Sequence, residues 1–342
     1  MQRRILGRTG LEVSCLGFGG MPIQRLLFDP AKEVIYEASL AGINFFDTSQ
    51  SYGDSEMKLG LSLSIKHHKV IISTKTLYRT KEEVLSHLGR SLRHLRTDYI
   101  DIFHLENVSR EEDVERVFAR EGALEALKEA RDQGLIHFIG VSGHRPEIMI
   151  DLIQTGEFDV VQFPVNIVDL DFVEKVIPVA KKHNIGVIGA CPFANGSFGD
   201  TEVALHFALS QDIATTIPGM QSLAEVDLNV RTVEFFEPLS RKEYEGLMEK
   251  TRHLCRSMCR VCGDCLPCPK SIDIPDVLSL ERDITRFHLR DWAEKYYAQM
   301  PVKVDACDRC GECEPRCPYG LHIMDLLERV GNRVSHMHIP AS

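Results

Sequence analysis

The chain has 342 residues, 44% of them hydrophobic and 26% charged, with a formal net charge of -10, a composition that suits a folded globular protein and argues against disorder. Such an acidic balance offers no basic face for a phosphate backbone or an acidic membrane surface, so neither nucleic acid nor a membrane is an expected partner. No apolar run follows the opening MQRRILGRTG, and no stretch of about 18 apolar residues occurs, so a cytoplasmic protein is expected.

In chain order, RRILGRTGLEV predicts a hairpin that closes the lower end of whatever follows. Eight strand-like runs come next: VSCLGFG, INFFDTS, VIISTK, DYIDIFHLE, IHFIGVS, VVQFPVN, GVIGACP and IATTIPG. Between them lie stretches such as KEEVLSHLGRSLRHL and EGALEALKEARDQG, with apolar residues at three- and four-residue spacing. Eight consecutive βα units predict an α/β fold, a (β/α)8 TIM barrel more than an open sheet. The pattern changes near residue 236, where FEPLSRKEYEGLMEKTRHLCRSM reads as a linker and a helix. The expected domains are therefore a barrel over 1–235 and a mostly α-helical domain over 236–342. The tail RVSHMHIPAS reads as a frayed end, with His336 and His338 not expected to bind metal.

Eleven cysteines are present, and eight of them form two close arrays in that second domain. CRVCGDCLPCP carries Cys259, Cys262, Cys265 and Cys268; CDRCGECEPRCPYG carries Cys307, Cys310, Cys313 and Cys317. Neighbours at such spacing make poor disulfides, whereas a metal centre needs several thiolates converging on one point. In two-cluster ferredoxins, three cysteines of one run join the fourth of the other. That logic assigns Cys259, Cys262, Cys265 and Cys317 to one 4Fe-4S cluster and Cys307, Cys310, Cys313 and Cys268 to a second. Two structural zinc sites are the alternative, although zinc gains nothing from a third close cysteine followed by Cys-Pro. Cys15, Cys191 and Cys255 are left as ordinary thiols, a site partly using Cys255 being a further alternative. The helical spacer between arrays resembles the α-helical ferredoxin modules of larger redox enzymes.

Chemistry in a (β/α)8 barrel sits at the C-terminal ends of the strands. There the sequence delivers Asp47 from the second strand, Tyr52 from the loop after it, Lys75 from the third, and His104 and Glu106 from the fourth. A phenol becomes a workable proton donor when an ammonium stabilises its phenolate, which is a role for Lys75 held charged by Asp47.

With these residues in view, residues 1–235 resemble the aldo-keto reductases. NFFDTSQSYGDSE is similar to their DTAxxYGxSE signature, VIISTK to their strand-three lysine, and DYIDIFHLE to DYIDLYxxH. The resemblance implies hydride transfer from a nicotinamide dinucleotide, NAD(H) or NADP(H), to a small-molecule carbonyl or carbonyl-conjugated C=C substrate. It implies Tyr52 as the acid, with Asp47 and Lys75 as its partners. It places nucleotide contacts on Gly19, Gly20 and Met21, on Ser142, Gly143 and Gln162, on Pro192 and Phe193, and on Pro218, Gly219, Glu225 and Asn229. Met21 to Phe28 are expected to line an apolar pocket or to be ordinary packing.

Several positions depart from the family pattern. Gly143 replaces the usual Asn, and Ala190 stands where an aromatic stacks on the nicotinamide. Gly219, Met220 and Glu225 replace the Lys-Ser and arginine that hold a 2′-phosphate, so NADH is the expected coenzyme. By register the tetrad histidine falls on Glu106, with His104 two residues earlier on the same strand face. Glutamate at that position resembles the steroid 5β-reductases and implies reduction of an enone. The clusters stay open to three readings: a structural clamp, a relay to an external ferredoxin-type partner, or the working part of an electron-transfer subunit whose barrel is idle.

Overall fold

The computed structural model describes residues 1–63, 69–194, 198–251, 258–285 and 290–335. Cys255, His336 and His338 lie outside them. The contacts divide the chain into two compact units, Met1–Pro192 with Asp200–Lys242, and Phe193–Gly199 with Glu243–Ser342.

In the first unit, β1 (Arg3–Ile5) and β2 (Glu12–Ser14) form an antiparallel hairpin. Eight parallel strands follow in sequential order: β3 (Phe18–Gly19), β4 (Phe45–Asp47), β5 (Ile71–Thr76), β6 (Ile100–Leu105), β7 (Ile136–Ser142), β8 (Val160–Pro164), β9 (Gly186–Ala190) and β10 (Thr215–Thr216). The eight strand-like runs of the sequence each overlap one of them. The sheet closes on itself where the first run meets the last. Gly17 N–H donates to Thr216 O at 2.8 Å, Thr216 N–H to Cys15 O at 2.9 Å and Gly19 N–H to Pro218 O at 3.0 Å. Closure needs glycine here, because a Cβ on Gly19 would stand 2.8 Å from Ile217 O and 2.9 Å from Pro218 O.

The helices on the outside obey the spacing of the sequence. Those before β7 are α1 (Phe28–Leu40), α2 (Ser55–Leu63), α3 (Lys81–Leu95), α4 (Glu111–Phe118) and α5 (Ala123–Asp132). In α3, Val84, His87, Leu88, Ser91 and Leu95 form the buried stripe. Glu82 and Glu83 in its first turn and Arg93 and His94 in its last complement the helix dipole. The remaining barrel helices are α6 (Pro146–Gln154), α7 (Ile177–Lys182), α8 (Thr201–Leu209) and α9 (Leu223–Glu234).

Inside the barrel, Phe45, Ile71, Ile102, Val160, Ile188 and Ile217 pack in one cluster with Leu6 and Val13 of the hairpin. The hairpin thus plugs one end with apolar side chains. Because strand side chains alternate, the inner face that carries Phe45, Ile71, Ile102 and Val160 next presents Asp47, Ser73, Lys75, His104, Glu106 and Gln162. The apolar plug is the floor of a polar site.

The second unit follows α10 (Arg241–Thr251) and holds α11 (Ile274–Thr285), α12 (Arg290–Gln299) and α13 (Ile323–Ser335). Its core joins Ile272, Val277, Leu280, Ala293 and Val330, with Cys265 and Cys313 buried among them.

Candidate active site and cysteine centres

Asp47 and Lys75 form the centre of the polar layer. Lys75 Nζ lies 2.5 Å from Asp47 Oδ2 and 2.9 Å from Thr48 O, with the two side chains 2% and 3% exposed. Ser73 Oγ donates to the other carboxylate oxygen at 2.9 Å. Burial pushes the Asp47 carboxyl above its ordinary range, while the Lys75 charge and the hydrogen bonds from Lys75, Ser73 and Gln162 pull against it. Lys75 Nζ also stands 5.3 Å from the centre of the Tyr52 ring. An ammonium so placed can stabilise negative charge on that phenol.

Glu106 is the first residue past β6 and sits at the rim. Its Oε2 accepts from Ser49 Oγ at 2.7 Å and from Ser51 Oγ at 3.1 Å. Burial pushes its carboxyl up; Lys75 and the two serines oppose this, and Asp47 adds to it. Arg79, buried behind the loop, holds the backbone there. Its guanidinium donates to Glu106 O at 2.7 Å and Asn107 O at 3.3 Å while pairing with Asp113 at 3.1 Å.

His104 occupies a deeper layer. It is fully buried beside Gly140, its partner in the β6–β7 register. Neither ring nitrogen makes a well-formed hydrogen bond, although the Val141 backbone slightly favours the charged ring. Burial, then the Lys75 charge, holds the ring well below its ordinary pKa of 6.5, so it stays neutral near pH 7. The sequence joined His104 and Glu106 on one face, and the fold separates them by depth.

The expected nucleotide positions divide by what else they do. Gln162 is buried in the middle of β8, its carboxamide bonded to Asp47 and its Oε1 left without a partner. A buried acceptor lacking a donor fits the N–H of a nicotinamide carboxamide. Ser142 Oγ accepts from Asn107 N–H at 3.1 Å, and Gly143 N–H donates to Gln162 O at 3.2 Å. Gly20 N–H donates to Asp47 O at 2.7 Å, which ties the first loop to the polar layer. Met21 begins a short turn, and Pro22 packs so close to Gly219 that a Cβ there would stand 2.6 Å from its Cγ. Pro218 supplies the closing carbonyl already described, and Asn229 is buried on the inner face of α9. Glu225 is a capping residue of that helix: Ser222 Oγ accepts from Glu225 N–H at 3.2 Å and Glu225 Oε2 accepts from Gln221 N–H at 2.7 Å. Pro192 ends the first unit's run and Phe193 begins the segment counted with the second.

The sequence motifs do not single out Ser49, Ser51 or Arg79. Ser49 had a visible signal, since the signature carries alanine at its position.

In the second unit the cysteines gather in two groups. Cys262 and Cys265 feel the charges of Cys259 and Cys317, and burial foremost pushes their thiols up to about 11 and about 12. Cys268, Cys307, Cys310 and Cys313 line one small cavity with Ile274 and Met324. Each group takes three cysteines from one array and one from the other. Among the described residues no set of three or more His, Cys, Asp or Glu side chains is placed to hold a metal ion. Two groups of four thiols each suit iron–sulfur clusters, which cysteine thiolates hold in fours.

Residues 15–201 match the sequence profile of the aldo/keto reductase family, and residues 258–322 match that of a 4Fe-4S dicluster domain. The chain is similar to L-galactose dehydrogenase of Arabidopsis thaliana, 28% identical over 314 residues that cover 74% of this chain and 96% of that protein. It is also similar to the aldo-keto reductase YhdN of Bacillus subtilis, 28% identical over 204 residues covering 54% and 60%. Among solved structures, the fold resembles aldo-keto reductase AKR11C1 from Bacillus halodurans, with a TM-score of 0.63 at 24% identity over 73% of this chain and 96% of that one. PA4992 of Pseudomonas aeruginosa, a putative aldo-keto reductase by its description, gives 0.61 at 25% identity over 67% and 94%. No helix among the described residues is long and apolar enough to cross a membrane.

Proposed function

This chain belongs to the aldo/keto reductase family and carries a 4Fe-4S dicluster domain, and we propose that it is a nicotinamide-dependent reductase of carbon–carbon double bonds conjugated to a carbonyl, with simple carbonyls as secondary substrates. The observation that carries this reading is the part-buried Glu106 carboxyl, held by Ser49 at 2.7 Å and facing the charges of the Asp47–Lys75 pair.

A bound nicotinamide dinucleotide supplies the hydride. Gln162, Ser142 and Gly143 would hold its carboxamide end, and the first and eighth loops its phosphates. Tyr52 donates a proton, its phenolate stabilised by Lys75, which Asp47 keeps in place. Glu106, protonated, donates a hydrogen bond to the substrate carbonyl and draws electron density along the conjugated system, so that hydride is accepted at the far carbon. Since burial raises the Glu106 carboxyl, its protonated form is present at low pH. Activity on enones is therefore lost as pH rises through that raised value. Glu225 stands where NADP-using relatives place a cation, and its carboxylate would repel a 2′-phosphate, so NADH is the preferred coenzyme.

Two 4Fe-4S clusters, on the two cysteine groups, supply one-electron chemistry to a partner of the ferredoxin type or clamp the second unit. The site is cytoplasmic in this reading. A second reading, an electron-transfer subunit with an idle barrel, draws on the same cysteine groups. The test compares wild type with Glu106→His and His104→Ala on a matched enone and saturated ketone. Glu106→His should shift the product ratio toward carbonyl reduction. An unchanged ratio in Glu106→His, with turnover abolished in His104→Ala, would transfer the role to His104.

A further inference from the structure

We propose that Arg79 is a positioning residue that fixes two parts of the site at once, the Glu106 carboxyl and the Ser142 hydroxyl, through the single turn that joins them. The inference rests on the reading of Glu106 as the acid and of Ser142 as a nucleotide contact. Arg79 lies just past β5 and is 4% exposed. Its Nη1 donates to Leu77 O at 2.9 Å and Tyr78 O at 3.3 Å, on its own loop. Its Nη2 donates to Glu106 O at 2.7 Å and Asn107 O at 3.3 Å, on the loop after β6. Its Nε donates to Asp113 Oδ1 at 3.1 Å, on α4. One planar group thus ties three segments together, and its buried charge meets a carboxylate.

The turn that Arg79 grips serves both parts. Glu106 N–H donates to Thr76 O at 2.8 Å, so with Arg79 on its carbonyl both backbone polar groups of Glu106 are held. Holding them sets the direction in which its side chain leaves the backbone, toward Ser49 and Ser51. Asn107 then takes a left-handed φ of 52°, a conformation that few residues other than glycine and asparagine adopt without support. In that conformation its N–H donates to Ser142 Oγ at 3.1 Å, and Val108 N–H donates to Ser142 O at 2.8 Å. Because the Ser142 oxygen accepts from the turn, its hydroxyl proton points elsewhere and is available to a carboxamide oxygen. A displaced turn would therefore move the acid and loosen the nucleotide contact together. Lysine in place of Arg79 keeps the charge but has one nitrogen where the guanidinium has three, too few to reach all three segments.

In the full-length protein, Arg79→Lys should shift the product ratio toward carbonyl reduction, as Glu106→His does, and should raise the Kd for NADH, each by about fivefold, the scale of one displaced hydrogen bond. In the Glu106→His background, adding Arg79→Lys should move the ratio no further, while the Kd should still rise. Asp113→Asn loosens the far end of the clamp at a part-exposed position, and it should move both readouts in the same direction but less. A lower Tm alone scales enone and ketone turnover together and leaves the Kd of the folded protein unchanged, so simple destabilisation does not produce this pattern. A ratio or a Kd that stays at the wild-type value in Arg79→Lys overturns the proposal. If Glu106→His itself leaves the ratio unchanged, the enone reading falls and the ratio no longer reports on Glu106. The clamp is then upheld by faster backbone hydrogen exchange at residues 106–109 together with weaker NADH binding in Arg79→Lys, and overturned by the absence of either.

Discussion

The imidazole of His104 fills the space beside Gly140: a Cβ on Gly140 would stand 2.3 Å from His104 Nδ1 and 2.5 Å from its Cε1. Strand pairing creates this relationship, because β6 and β7 align the two residues. Gly140→Ala should therefore destabilise the barrel by about 1–3 kcal/mol. Adding His104→Ala should return part of that loss, since the new methyl then has room. Denaturant unfolding of the two single variants and the double one measures the coupling.

The same burial predicts a pH dependence. His104 has a folded pKa depressed below 6.5, so its neutral form contributes stability that is present above that value and lost as pH falls through it. His104→Leu should flatten the acid side of the stability curve by up to one proton, or about 1.4 kcal/mol per pH unit. Unfolding midpoints between pH 5 and 7 provide the check.

Removing one member of the central ion pair should be costly. Lys75→Met would leave Asp47 buried and unpaired among Ser73 and Gln162, a loss of about 3–5 kcal/mol. Lys75→Met with Asp47→Asn should be less destabilised than Lys75→Met alone.

Under the proposed function, in which the Tyr52 hydroxyl serves as an acid and not as an anchor, Tyr52→Phe should remove nearly all turnover with nucleotide affinity retained. Fluorescence titration with NADH separates the two effects. An electron-transfer subunit with an idle barrel would work normally without that hydroxyl.

Glu225 caps α9 and, in the proposed function, also disfavours a 2′-phosphate, so a conservative variant separates the two. Glu225→Gln keeps an acceptor for the Gln221 N–H and removes the charge, so NADPH use should rise relative to NADH with little change in stability. Glu225→Ala should also lose about 1 kcal/mol of helix capping. Coenzyme kcat/KM ratios alongside melting curves distinguish charge from cap.

Cys310→Ser should leave about four irons per chain in place of about eight after anaerobic reconstitution. The circular dichroism of the barrel should be unaffected. Two zincs per chain with no visible absorption would replace the iron–sulfur assignment.

The order of strands, the helix faces and the two cysteine arrays were legible in the sequence, because each is written by local spacing. Alternation brought Phe45 and Asp47, and Ile102, His104 and Glu106, to one face, and the C-x2-C runs announced a thiolate centre before any packing was known. The tertiary structure alone decided depth and partnership. It set His104 in a pocket that exists only because Gly140 lies across from it, and it brought Ser49 and Ser51 to Glu106 from a loop more than fifty residues away. It tied Glu225 into a helix cap and used Gly19 in closing the barrel. Side-chain periodicity specifies which face a residue shares, but the shear of a closed sheet and the volume of residues opposite determine which neighbour it meets.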